Sequence, residues 1–341
     1  MEKPSQPLPP NDFNHITDFN AHCAYKRCLA AEEKLGGLTK DSRCRLICIR
    51  LLGYMLREAP TSAGRQELAT EIIRCQGDES LHELGLIYQG HFIRCFRSIK
   101  GHTPKPSHHP SAPSFDQAVS FNFAQLQPTP SSHEKAKKSA LERDGYCCMI
   151  TRRVDSTSFM KGLVLHDGQH MLTTARAAHI FDRSTNEDLD NEEKRLYAAS
   201  VHTILDRFGR VDTIAELNGA NVHRLENILT LSPEFHDWFD QLRFWLERDP
   251  TPTAVTSAML VTLGSRITFT THDSTTHPLP SPRLLELHAA CARIAHLSGA
   301  GEYADKVLRD METIGVLAND GSSDVLTHAL LLSTARPIPA Y

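Results

Sequence analysis

Apolar side chains recur at helical spacing late in the chain: Phe235, Trp238, Phe239 and Leu242 stand at i, i+3, i+4 and i+7. Ser232 offers a cap and Pro233 a first-turn proline, so the pattern predicts a helix over 233–242 with those four side chains inward. His236 and Asp240 lie four apart on a neighbouring face, where two ligands on one rigid helix can hold a divalent cation. Before the helix, "NILTL" reads as a strand beginning at Asn227, and after it "RFWLE" begins another.

The remaining pattern divides the chain. Residues 13–99 read as helices: "ITDFNAHCAYKRCLAAEEKL" ends at Gly36-Gly37, and "DSRCRLICIRLLGYMLREAP" starts on Asp41 or Ser42 and ends at Pro60. Two more helices are predicted near 64–75 and 81–98. Residues 101–132 hold six of the 19 prolines and read as a linker or extended arm. From 133, "HEKAKKSALERD" predicts a polar helix stopped by Gly145, and "YCCMITRR" a short strand. "LVLHDGQHMLTTARAAHI" predicts two strands around an Asp167-Gly168 hairpin turn. A helix over 187–208 places Tyr197, Val201, Ile204, Leu205 and Phe208 on one face, and Asn218-Gly219 breaks the chain. Strand-like "AVTSAML" and "RITFTT" follow. A helix from Ser281-Pro282 turns Leu284, Leu287, Cys291 and Ile294 inward, and a last helix spans about 301–314.

Composition narrows the classes. With 341 residues and 40% hydrophobic positions the chain can bury a sizeable core. No run approaches the ~18 apolar residues of a membrane span. The start "MEKPSQPLPPND" lacks the basic and apolar regions of a signal peptide, which favours an intracellular protein, cytoplasmic or nuclear. Nine cysteines without a CxxC pair fit reduced thiols. Cys44 and Cys48, one turn apart, read as small apolar packing residues, because no matching His or Cys pair lies near them in sequence. The net charge of −4 means that any nucleic-acid surface must be local. Its one candidate is 134–153, with Lys135, Lys137, Lys138, Arg143, Arg152 and Arg153 against three acidic residues; a solvated helix face is the equal alternative.

The order "RDGYCCMIT" (143–151), "AAHI" (177–180), "NILTL" (227–231) and "HDWFD" (236–240) resembles the HNH nucleases, and more narrowly a fungal group of HNH-domain proteins. The resemblance extends over roughly 133–315. It implies an α+β fold with a ββα-metal core, flanked by an N-terminal helical region and a C-terminal strand-and-helix extension. The implied division is 1–100 helical, 101–132 linker, 133–252 HNH-like domain, and 253–341 extension packed on the core. It also implies His179 as general base, Asn227 orienting it, His236 as ligand to Mg²⁺ or Mn²⁺, and Asp240 as second ligand or support. Arg152, Arg176 and Asp182 are further candidates for binding substrate.

The chain departs from the family's pattern. Ala178 stands where many HNH nucleases carry a metal-ligating Asp or His, unless Asp182 or water replaces it. Only Cys148 and Thr151 mark the place of the family's zinc-binding Cys pairs, which implies no structural zinc. Three functions are therefore expected in order: a divalent-metal-dependent DNA endonuclease; a repurposed fold acting as a small-molecule enzyme or binder in a fungal biosynthetic pathway; and a protein-interaction module built on the N-terminal helices. No membrane partner is expected.

Overall fold

The computed structural model describes residues 5–35, 42–97, 113–130, 134–166, 168, 171–248, 255–256 and 267–301. Four helices form the N-terminal part: α1 Phe19–Leu35, α2 Ser42–Arg57, α3 Ser62–Arg74 and α4 Gly77–Tyr88, which continues into a π turn over Gln89–Ile93. Thr61 caps α3 by accepting the Gly64 amide at 3.0 Å. A further helix, α5 Pro113–Gln125, lies inside the stretch that sequence reads as an extended arm. Proline tolerates a helix's first turn, and Phe115 and Val119 give α5 a buried side. Arg195 of α8 (Glu192–Ile204) donates to the Phe123 and Leu126 carbonyls and fixes the end of α5.

The next segment opens with α6 Glu134–Arg143, closed at Gly145 with φ +63°. After the short α7 Ser156–Met160 comes β1 Arg176–His179. Its partner differs from the expected one. Instead of a hairpin at Asp167-Gly168, β1 pairs antiparallel with β2 Ile228–Leu231, with Arg176 opposite Leu231 and His179 opposite Ile228. The intervening 48 positions carry α8 and its terminal π turn, α9 Thr213–Leu217 and three 3₁₀ turns. Burial explains the choice: all four β2 residues are buried and Ala178 is fully covered, an environment the exposed Leu163, Leu165 and Met171 cannot supply. The segment "YCCMITRR" is likewise a turn rather than a strand, with one isolated bridge from Cys147 to Val154.

Helix α10, Pro233–Asp240, follows β2 directly and contacts both strands. The stretch "RFWLE" yields only a two-residue β3, Glu247–Arg248, paired antiparallel with β4 Val255–Thr256. Of the expected strand over 266–271, Ile267 remains as a bridge residue among those described. Helix α11, Pro282–Ser298, begins as sequence predicts, with Ser281 accepting the Leu284 amide at 3.4 Å. Leu284, Leu287, Cys291 and Ile294 are all buried. The helix expected over 301–314 lies outside the described residues.

One apolar cluster joins these parts: Leu52 and Met55 of α2, Phe92, Phe181, Phe208, Phe239 and Ile294 all belong to it. Helix α11 packs against α2 and against the turn that ends α4. No helix among the described residues is long and apolar enough to cross a membrane.

The apolar stripe of α10 divides by depth. Phe239 and Leu242 are fully buried, whereas Phe235 and Trp238 are half-buried and meet edge to face at 5.2 Å. The Phe239 ring stacks on His288 of α11, centroids 3.8 Å apart, and its carbonyl accepts from His288 Nε2 at 3.3 Å. Phe239→Ala should therefore cost about 3–5 kcal/mol, and Trp238→Ala distinctly less. Chemical denaturation of both variants measures this; equal losses would contradict the difference in depth.

Candidate functional site

The candidate residues sit where β1 ends and β2 begins, and on α10, which packs against both strands. Asn227 sits at the junction, fully buried, with every polar group paired. Its carbonyl accepts the Ile180 amide at 2.9 Å and its Oδ1 accepts the Phe181 amide at 2.8 Å. Its Nδ2 donates to the carbonyls of Phe181 and Val222, at 3.1 and 2.9 Å, and its amide donates to the Arg224 carbonyl. Asn227 thus grips the backbone on either side of the site rather than the His179 ring.

His179 is half-buried at the last position of β1. Its Nε2 lies 3.0 Å from Nδ1 of His223, whose Nε2 is 3.1 Å from the Pro130 carbonyl. A carbonyl only accepts, so His223 Nε2 carries a proton. In neutral His223, Nδ1 then accepts and His179 Nε2 donates. The chain of bonds selects the His179 tautomer whose Nδ1 holds the basic lone pair. His223 was not singled out in the sequence. Its signal was there, a histidine four residues before Asn227, but nothing in one dimension aims it at β1.

His236 and Asp240 come together as their spacing implies. His236 Nδ1 is 3.3 Å from Asp240 Oδ2 and 4.0 Å from Asp237 Oδ1. Nδ1 is nonetheless buried without a hydrogen bond. Burial holds the His236 pKa below its ordinary value, assisted by the Arg176 guanidinium and opposed by Asp237 and the Ala177 backbone. Burial also pushes the Asp240 carboxyl up to about 7, and the nearby carboxylates of Asp182 and Asp237 add to the shift against Arg176. A ligand nitrogen without a partner and a carboxyl that resists ionising beside two others make an environment that a divalent cation would relieve. Adjacent corners of an octahedron with ~2.1 Å bonds lie about 3.0 Å apart, close to the 3.3 Å between these two atoms, so the pair is spaced to share one divalent cation.

The other candidates separate. Among the described residues, no third His, Cys, Asp or Glu joins His236 and Asp240 with donor atoms mutually within 4.8 Å. Asp182 faces Asp240 at longer range and caps a 3₁₀ turn by accepting the Ser184 amide. Arg176 is tied to Asp237 at 3.2 Å, and Arg152 is exposed at φ +58°. Arg143 is no surface cation. It is fully buried on Asp144 at 2.7 Å and donates to the Leu225 and Ile228 carbonyls, bracing β2. With Arg153 paired to Glu234, the exposed cations left in the 134–153 patch are Lys135, Lys138 and Arg152.

Ser232 takes the cap position of α10 by its backbone alone, and its hydroxyl makes no cap bond. Its amide donates instead to Cys148 Sγ at 3.2 Å, as does the Thr151 amide at 3.4 Å. One sulfur therefore closes the 148–152 turn.

The order of these features in the chain has a counterpart. Residues 148–247 match the HNH endonuclease family model. The match covers less than a third of the chain and contains His179, His223, Asn227, His236 and Asp240. It supports an HNH nuclease domain in this segment. No curated protein and no solved structure matches the chain.

The Asp240 shift sets a pH dependence. A carboxyl raised from 3.8 to about 7 keeps its proton in the folded chain over an interval where the unfolded chain has lost it. Stability from the neutral form is full below about 4 and is lost as pH rises through about 7. In EDTA, Asp240→Asn should therefore melt higher than wild type at pH 8, with the gain vanishing at pH 4. Thermal melts at the two pH values check this; an equal gain at both would remove the charge argument.

Proposed function

We propose that the HNH segment makes this chain a divalent-cation-dependent endonuclease acting on DNA phosphodiesters. The observation that carries the reading is His179 at the end of β1, bonded to His223, with the His236–Asp240 pair on the helix that packs against that strand. β1, β2 and α10 then correspond to the ββα-metal core.

Each residue has a task in hydrolysis. His179 Nδ1 takes a proton from the water that attacks phosphorus, and the positive charge gained is spread through His223 to the Pro130 carbonyl. His236 and Asp240 hold the cation, and solvent or Asp182 serves where Ala178 offers nothing. A divalent cation held by His236 and Asp240 would supply charge neutralisation at the phosphoryl oxygens. Asn227 keeps β1, β2 and the 3₁₀ turn carrying His223 in one arrangement. Helix α6 contacts both strands and exposes Lys135 and Lys138, which suit phosphate contacts beside the site.

A small-molecule enzyme on the same fold is the second reading, favoured by the missing ligand at Ala178. The cavity bordering Asn227, lined by Glu216, Leu217, Arg224, Glu226, Ser281 and Leu284, measures about 130 Å³, below the ~300–1,000 Å³ of pockets for small organic ligands.

Plasmid cleavage at low salt with Mg²⁺ or Mn²⁺ tests the proposal. Wild type should cut. His179→Ala should lose about 10²–10⁴-fold in rate while keeping its melting temperature, and His236→Ala should respond to cation concentration only weakly. A wild type that leaves double- and single-stranded DNA intact with every common divalent ion would sink the nuclease reading.

A further inference from the structure

Away from the HNH segment, α2 and α4 bring three side chains of metal-binding chemistry together. Cys44 and Cys48 lie one turn apart on α2, and His82 projects from α4. Their donor atoms all lie within 4.8 Å of one another, with Cys44 Sγ 4.0 Å from His82 Nε2. Tetrahedral zinc, with bonds of about 2.3 Å to sulfur and 2.0–2.1 Å to nitrogen, places neighbouring ligand atoms roughly 3.6–3.8 Å apart. The three atoms therefore stand near one face of such a tetrahedron.

The surroundings fit a built site better than simple packing. A Cβ added to Gly85 would lie 2.6 Å from the Cys48 Cβ, so the bare glycine lets α4 approach α2 closely just one turn beyond His82. His82 is 2% exposed, and its Nδ1 is buried with no hydrogen-bond partner. The nitrogen facing Cys44 is Nε2, which leaves Nδ1 on the far side of the ring. The Glu79 carboxylate stands 3.6 Å from that Nδ1 and is itself gripped by Arg45 at 2.6 and 3.2 Å. Metal-bound histidines commonly direct their second ring N–H at such a carboxylate. Gln89 reaches the other sulfur, its Oε1 3.5 Å from Cys48 Sγ. Turning its amide would offer an N–H to a thiolate.

We propose that Cys44, Cys48 and His82 bind one zinc ion that cross-links α2 to α4, with a solvent molecule as fourth ligand on the half-exposed Cys44 side. On binding, the two thiols release their protons to solvent and both sulfurs bond the metal as thiolates. The ligand set separates this site from the one on α10. Two thiolates select a soft or borderline cation, whereas the α10 pair of one imidazole and one carboxylate offers no thiolate. The proposal also revises the expectation of no structural zinc and the reading of Cys44 and Cys48 as packing residues.

Cobalt(II) is the probe, added to the full-length, chelator-treated protein. The wild type should develop thiolate-to-cobalt charge-transfer absorption that saturates at one equivalent and disappears when zinc is added. Cys44→Ser, at the half-exposed edge, and Cys48→Ser should each lose most of that absorption. His82→Gln should weaken binding, and His236→Ala should leave it unchanged. Zinc should raise the melting temperature of wild type but not of Cys44→Ser. Folded wild type without charge-transfer absorption in excess cobalt would overturn the proposal, and so would undiminished absorption in Cys44→Ser. Should the cysteine variants fail to fold, the wild-type titration decides alone.

Discussion

Everything at the site depends on one buried amide. Asn227 holds the residues after β1, the turn that carries His223, and the first step into β2 through its side chain and backbone together. A net contribution of about 0.5–1.5 kcal/mol per bond is modest, but removing the side chain would orphan buried backbone groups at about 1–3 kcal/mol each. A single side chain thus ties the end of β1 to the turn before β2. The 48 positions inserted between the strands can vary in path because both of their ends are clamped at this point.

Helix α10 carries the second constraint. Phe239 anchors it by stacking on His288, and the aromatic side leaves His236 and Asp240 on the neighbouring face. That face is electrostatically unsatisfied. Asp240 resists ionising because of its burial and because Asp182 and Asp237 stand near, while His236 keeps a nitrogen without a hydrogen bond. The fold holds Asp240 near Asp182 and Asp237, where a cation would relieve their repulsion, so packing energy in the core maintains an arrangement that charge alone would disperse.

The parts legible in sequence were those encoded locally. The i, i+3, i+4, i+7 stripe located α10, and Ser281-Pro282 located α11, because helix caps and faces depend on near neighbours. Asn227 and His179 were found through the order of short motifs. Features that depend on distant partners escaped. Despite the Asp167-Gly168 turn signal, β1 pairs with β2, a strand whose four residues are all buried. Arg143 read as surface charge because its partners, the Leu225 and Ile228 carbonyls, lie more than eighty residues away. Cys44 and Cys48 looked like packing residues until α4 brought His82 beside them. The helix at 113–125 was hidden by the prolines flanking it.

The central claim is that the chain's own residues define a hard-cation site on α10 beside His179. A crystal of the full-length protein soaked in Mn²⁺ tests it most directly, through anomalous scattering at the manganese edge. The account predicts a peak within bonding distance of His236 Nδ1 and the Asp240 carboxylate, on the side facing Asp182. Well-ordered His236 and Asp240 with no anomalous peak between them, at manganese concentrations that fill other sites in the crystal, would contradict it.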